Sequence, residues 1–301
     1  MSFPPPGPNQ GYCELSALDA GQIYMSLLQL IDTAAPDDVA DLPVLAFLLK
    51  HVPSGTYILF DLGIRPDVAA LPIGLRTFCD SIQCKFTGVD IPAALRRGGL
   101  DPGAVQHIVL SHVHFDHAGD TTRFPNATIH LGGAAVPLLA ELAAKGPGEA
   151  TFVACDLPPA PRTNLLPQGE GEGGTWAPLG PFPRAHDLLG DGSVYVVDAP
   201  GHVPGHVALV ARTSADGAWA FLAGDSAHDW RIVTGEAGIG HHPALPCMHA
   251  DEAASNANIA RIRTLTKMER VRVLLAHDLP FVRKEKETGM KSYWPGKIES
   301  L

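Results

Sequence analysis

The chain has 301 residues, 46% hydrophobic and 18% charged, with a formal net charge of −10 and a pI of about 5.7. That length holds one large domain or two ordinary ones, and the apolar content supports a packed core, which excludes an intrinsically disordered chain. The acidic balance argues against a nucleic-acid partner: the densest basic stretch, Arg283, Lys284 and Lys286, alternates with Glu285 and Glu287 and reads as a solvated face.

Residues 1–11 are Pro-rich and polar, without the basic and apolar regions of a signal peptide. No apolar run approaches the length of a bilayer span, so a cytoplasmic protein is expected, with a homodimer left open. The five cysteines (Cys13, Cys79, Cys84, Cys155, Cys247) are odd in number, scattered and lack a Cys-x-x-Cys, as in a reduced compartment. Residues 1–43 read as a loose leader and N-terminal segment, and residues 44–301 as a single domain. Its first feature is a β-hairpin, apolar runs at 44–49 and 56–60 around a turn holding Pro53 and Gly55, and it ends in Asp61-Leu62-Gly63. A short helix follows over 90–97, with Asp90 as its N-cap, Pro92 early and Gly98-Gly99 as the stop. Strands are expected at 106–111 and 128–131, and an Ala/Leu-rich helix at 136–145. Residues 157–185 read as a long loop insertion, because Pro158, Pro159, Pro161 and the Gly/Glu run at 169–174 sustain neither helix nor strand. Trp176 and Phe182 are its expected anchors. Strands at 193–198, 207–211 and 219–223, an amphipathic helix over 252–270 and a last strand at 271–275 complete a pattern of helices packed outside sheets.

The chemistry sits where the strands stop. The strand at 106–111 runs into His112-Val113-His114-Phe115-Asp116-His117, three imidazoles and a carboxylate within six residues. Packing alone rarely satisfies so many polar groups on one segment, and imidazole nitrogen and carboxylate oxygen are what borderline divalent metals take. Three more strands end similarly: Asp198 leads into Pro200-Gly201-His202-Val203-Pro204-Gly205-His206, Ala223 into Gly224-Asp225 and His228, and Ala276 into His277-Asp278. Strand ends lie along a common rim, so these loops are expected to converge. His107 and His130 need no ligand role. His241, His242 and His249 fall in a Gly/Pro-rich loop near the expected site; exposure is expected for them, with substrate contact as the alternative.

These four loops, in this order, resemble the metallo-β-lactamase fold superfamily of metallohydrolases. The resemblance implies an α/β fold, an αββα sandwich of two mixed sheets with helices outside and a metal site at one edge. It implies that His112, His114 and His206 hold one divalent metal, that Asp116, His117 and His277 hold a second, and that Asp225 bridges them. His202 would then orient its neighbours rather than bind metal. Zinc is the expected metal, with iron or manganese as alternatives. Within the superfamily, Phe60-Asp61-Leu62-Gly63 and the run from Ser111 to Gly119 are most similar to the N-acyl-homoserine-lactone lactonase branch. That branch carries a substrate-contacting tyrosine three residues after the bridging aspartate, where this chain has His228. The implied activity is opening of a lactone or related ester-type bond by metal-bridging hydroxide, with Asp116 and His228 as catalytic groups. A thioesterase, a lactam or amide hydrolase and an iron-dependent sulfur dioxygenase are the alternatives. Trp176, Phe182 and Trp230 point to an apolar or aromatic small-molecule substrate.

Overall fold

Backbone pairing sorts the strands into two sheets. The computed structural model describes residues 2–167 and 176–301. One sheet contains β1 (Cys13–Ser26), β2 (Val39–His51), β3 (Tyr57–Phe60), β4 (Lys85–Gly88), β5 (Val105–Val109), β6 (Thr128–Gly132) and β7 (Thr163–Leu166), in the spatial order β4-β1-β2-β3-β5-β6-β7. The other contains β8 (Trp176–Leu179), β9 (Phe182–Asp187), β10 (Val194–Asp198), β11 (Val207–Arg212), β12 (Trp219–Leu222) and β13 (Val271–Leu274), in the order β13-β12-β11-β10-β9-β8. Both are mixed: β3, β5, β6 and β7 pair parallel to one another, as do β12 and β13, and the remaining pairs are antiparallel.

The period of two along each strand sends one set of side chains between the sheets and the other outward. Leu15, Leu45, Phe47 and Phe60 meet Val196, Leu209, Leu222 and Leu274 in the inner core. The outward set is covered by helices. Leu48 and Leu59 share a cluster with Leu75 of α1 (Ile73–Ser81) and Leu95 of α2 (Ile91–Arg97); Val210 and Phe221 share it with Ile259 and Ile262 of α6 (Glu252–Leu265). The short α3 (Phe115–Ala118) and α5 (Trp230–Thr234), with α4 (Ala135–Lys145) and α7 (Leu279–Thr288), complete the helices. This is the αββα sandwich expected from the sequence. The hairpin forms between β2 and β3, and Asp90 caps α2 by accepting from the Ala93 N–H at 2.9 Å. All five cysteines are free thiols, and among the described residues no helix is long and apolar enough to cross a membrane.

Two readings need correction. The N-terminal segment is not a loose leader: β1 pairs with β2 along nearly its whole length. Ahead of it, Phe3 is buried against Trp219 with ring centroids 4.9 Å apart. The guanidinium of Arg212 lies 4.0 Å from the centroid of the Trp219 ring and donates from Nη2 to the carbonyls of Pro4 and Pro5 at 2.9 and 3.1 Å. Nor is 157–185 a structureless insertion. It contains β7, β8 and the start of β9, strands at or next to sheet edges, where a missing N–H is tolerated. The Gly/Glu run at 169–174 lies outside the described residues.

The two sheets are joined by backbone hydrogen bonds at one rim. Leu45 N–H, on β2, donates to Ala276 O just past β13 at 2.9 Å, and Val207 N–H, on β11, donates to Ser111 O just past β5 at 2.8 Å.

Candidate metal centre

That rim gathers the polar strand ends. Asp61 follows β3, His112 to His117 follow β5 and include α3, His202 and His206 lie between β10 and β11, Asp225 follows β12, and His277 follows β13. Gly224, at φ +53°, makes the turn before Asp225; a Cβ there would stand 2.8 Å from Ser111 Cβ and 2.9 Å from His206 Nε2. Only a residue without a side chain fits.

The buried side chains form two groups of potential ligands that share one carboxylate. His112, His114, His202 and Asp225 have ligand atoms within 4.8 Å of one another, and so do Asp116, His117, Asp225 and His277. Asp225 Oδ2 faces the first group, 3.8 Å from His112 Nε2 and 3.5 Å from His202 Nε2. Oδ1 faces the second, 3.3 Å from His117 Nε2 and 3.4 Å from His277 Nε2. Asp116 Oδ2 stands 3.4 and 3.6 Å from the same two imidazoles.

Outer contacts fix which nitrogen points inward. His117 Nδ1 is 2.8 Å from Asp61 Oδ2, His277 Nδ1 is 2.8 Å from Pro43 O, and His112 Nδ1 is 2.9 Å from Ser111 Oγ. Ser111 in turn donates its N–H to Asp61 Oδ1 at 2.6 Å and its hydroxyl to Oδ2 at 2.8 Å. With Nδ1 engaged, each Nε2 is turned into the centre, the usual outer support of a metal-binding histidine.

The electrostatics match. Burial, reinforced by His117, His114 and His202, holds His112 well below its ordinary value; burial takes His114 down to about 4 against the pull of Asp116 and Asp225, and lowers His202 strongly. The downward shifts favour the neutral ring, whose free nitrogen keeps a lone pair. On the other side, burial works against charge, but Asp225 and neighbouring carboxylates outweigh it and raise His117 and His277. Burial also opposes ionisation of Asp225, yet the surrounding His117, His277 and His228 hold it well below the usual carboxylate range. His112 Nε2, His117 Nε2 and Asp225 Oδ1 are buried with no hydrogen bond at all. Each such atom costs about 1–3 kcal/mol if left unsatisfied, and the donor set fits a pair of divalent cations.

His206 departs from expectation. Its Nδ1 is 2.9 Å from Ala199 O, and its Nε2 accepts the backbone N–H of Asp225 at 3.1 Å. A neutral imidazole has one donor and one acceptor, and here the backbone takes both. The ligand atoms grouped with those of His112, His114 and Asp225 include one of His202 and none of His206, which is bonded to the Asp225 N–H instead. His249 was also misjudged: it is buried, and its ligand atom lies within 4.8 Å of those of His202 and His228. His228 itself is buried, with Nε2 3.3 Å from Asp225 Oδ2 and neither ring nitrogen hydrogen-bonded. A cavity opens over the centre between the polar groups His114, Asp116, Asp225, His228 and His277 and the apolar Ile23, Met25, Leu30, Leu42, Phe152 and Met248. Trp176, Phe182 and Trp230 do not line it; Phe182 stacks on Phe221 at 5.1 Å instead.

A family model described as the metallo-beta-lactamase superfamily matches residues 39–217. Gamma-lactamase FDB1 of Fusarium pseudograminearum (strain CS3096) is 32% identical over 233 residues, 71% of this chain and 51% of that protein, so the match spans about half the relative's length. An N-acyl homoserine lactonase of Bacillus sp is 27% identical over 287 residues, covering 93% of this chain and 97% of the relative. Among solved structures, an N-acyl homoserine lactone hydrolase with N-hexanoyl-L-homoserine bound at its catalytic metal centre superposes with a TM-score of 0.67 at 19% identity, over 99% of this chain and 100% of the other. The dizinc quorum-quenching lactonase AidC does so at 0.55 and 18%, over 93% and 92%.

Proposed function

Because the chain belongs to the metallo-beta-lactamase superfamily, we propose that it is a hydrolase that opens a lactone or related ester-type bond with two divalent cations, zinc by choice of ligand. His112, His114 and His202 would hold one cation, Asp116, His117 and His277 the other, with Asp225 between them. The observation that carries this reading is the Asp225 carboxylate, whose two oxygens each face a separate set of inward-turned imidazoles. Two such cations, when bound, bring the pKa of a water between them towards neutrality, polarise a carbonyl oxygen and offset charge on the leaving group.

The chain's own residues supply the rest. Ile23, Met25, Leu42 and Met248 exclude water and offer an apolar wall, which fits a small apolar substrate with its carbonyl turned down to the polar floor. His228 Nε2 reaches that floor and makes no hydrogen bond within the protein. It is thereby available to donate to the substrate carbonyl oxygen or to pass a proton to the departing alkoxide. Asp116 shares the floor and assists proton movement beside His277.

A lactam ring is the second reading, favoured by the relative at 32% identity that is named a γ-lactamase. It uses the same side chains, and only the leaving nitrogen, which needs a proton more urgently than an alkoxide, differs. The test is metal analysis of the purified chain combined with a hydrolysis screen over lactones, thioesters and lactams. Two or more equivalents of metal per chain and turnover of a cyclic ester or amide are expected. One equivalent or less after supplementation, or turnover that survives complete chelation, sinks the reading. His228→Ala should keep the metal content and lower kcat roughly 10²-fold; unchanged turnover of the best substrate would remove His228 from the mechanism.

A further inference from the structure

We propose that His241, Cys247 and Glu252 form a second, outer zinc site, separate from the paired centre. The three side chains place an imidazole nitrogen, a thiol sulfur and a carboxylate oxygen within 4.8 Å of one another, with His241 Nε2 2.9 Å from Glu252 Oε2. Tetrahedral zinc with bonds of about 2.0–2.3 Å sets its ligands about 3.3–3.8 Å apart, so small side-chain rotations suffice to close the group on an ion. One nitrogen, one sulfur and one oxygen are each established zinc donors, and water takes the fourth position at the surface.

A simple ion pair accounts for His241 and Glu252 but not for the sulfur beside them. Cys247 Sγ accepts the backbone N–H of His249 at 3.4 Å, so the loop turns around the sulfur and uses it as an acceptor, as a bound cation also would. Asp251, the N-cap of α6, adds a neighbouring negative charge.

The segment so clasped reaches the paired centre. Ala250 and Asp251 donate their N–H groups to the carbonyls of His202 and Gly201, both at 2.8 Å, and Met248 and His249 stand over the cavity and beside His202 and His228. Zinc at the outer site therefore tightens the backbone that supports His202. This step does not need the lactonase reading to be right.

Cobalt(II) substitution of the full chain is the test, because the paired centre offers nitrogen and oxygen only and gives no sulfur-to-cobalt charge-transfer band in the near ultraviolet. The expected result is such a band, about three equivalents of metal per chain, and loss of the band with one equivalent in Cys247→Ser. His241→Ala should weaken the same equivalent, and Cys84→Ser, whose thiol lies near the cavity, should leave the band intact. Two equivalents with no sulfur band overturn the outer site and leave the paired centre standing. A band that survives Cys247→Ser overturns it as well. A band lost in Cys247→Ser with only one equivalent in total keeps the outer site and removes the paired centre.

Discussion

Asp225 and His202 have roles that geometry alone distinguishes from their neighbours'. Asp225 is held by the Gly224 turn and by the N–H bond to His206, so its two oxygens are aimed by backbone rather than by side-chain packing. His202→Ala is expected to remove one metal equivalent and most turnover, and to destabilise the metal-free protein less than His206→Ala, because its Nε2 pairs with the imidazole of His114 at 3.1 Å rather than with backbone. His206→Ala does the reverse: it strands the Asp225 N–H and the Ala199 carbonyl in the interior, at about 1–3 kcal/mol each, and should lower the urea midpoint before it lowers metal content. Measuring metal per chain and unfolding on the two variants side by side decides the assignment; equal metal loss would count against it. The resemblance gave the ligand role to His206, and the residues themselves offered no check, because both histidines end identical Pro-Gly-His segments within one loop. What separates them is the partner of each ring nitrogen, set by tertiary contact. His206 directly precedes β11, which ties it to backbone, whereas His202 lies mid-loop. Asp61 showed in the sequence only as a strand end; the pairing of β3 with β5, which delivers the cluster, is what sets it beside His117.

Among the elements, the strands that end at the rim were readable because each is a short apolar run with a polar terminus. β1 was not. Glu14, Ser16, Asp19 and Gln22 interrupt its apolar pattern, and its burial comes from a pairing with β2 that local sequence does not announce. β7 was hidden by the prolines that flank it, and β8 and β9 each carry one, Pro178 and Pro183, at or next to a sheet edge. The segment ahead of β1 has a measurable role of its own. Arg212→Met keeps much of the aliphatic bulk but removes the donors to Pro4, Pro5 and Gly192. The expected cost is about 1–3 kcal/mol, with proteolytic cleavage of residues 2–10 becoming faster. If cleavage is unchanged, Phe3 on Trp219 holds the segment by itself.

For the molecule as a whole, bound cations and acidity pull stability in opposite directions. If the proposed centre holds its cations only in the folded chain, loading one site to 100 times the dissociation constant should add about 2.7 kcal/mol, and chelation should remove it with a matching fall in Tm. Acid acts even on metal-free protein. His130, whose ring is bonded to His107 and Asn164, is brought by burial from 6.5 down to about 3. Between those values the unfolded chain binds a proton that the folded chain refuses, so stability falls as pH falls from 6.5 towards 3, by at most about 1.4 kcal/mol per pH unit from this group. His130→Gln should flatten part of the drop between about pH 7 and about pH 5 in urea titrations; an identical slope would assign the acid sensitivity elsewhere.

The bonds from Leu45 to Ala276 and from Val207 to Ser111 give the sandwich a spine. A book opens from its fore-edge. In amide exchange, deuterium should enter first along β4, β7 and β8, and the Leu45 and Val207 amides should be the last pages to turn, later still if the proposed cations are added.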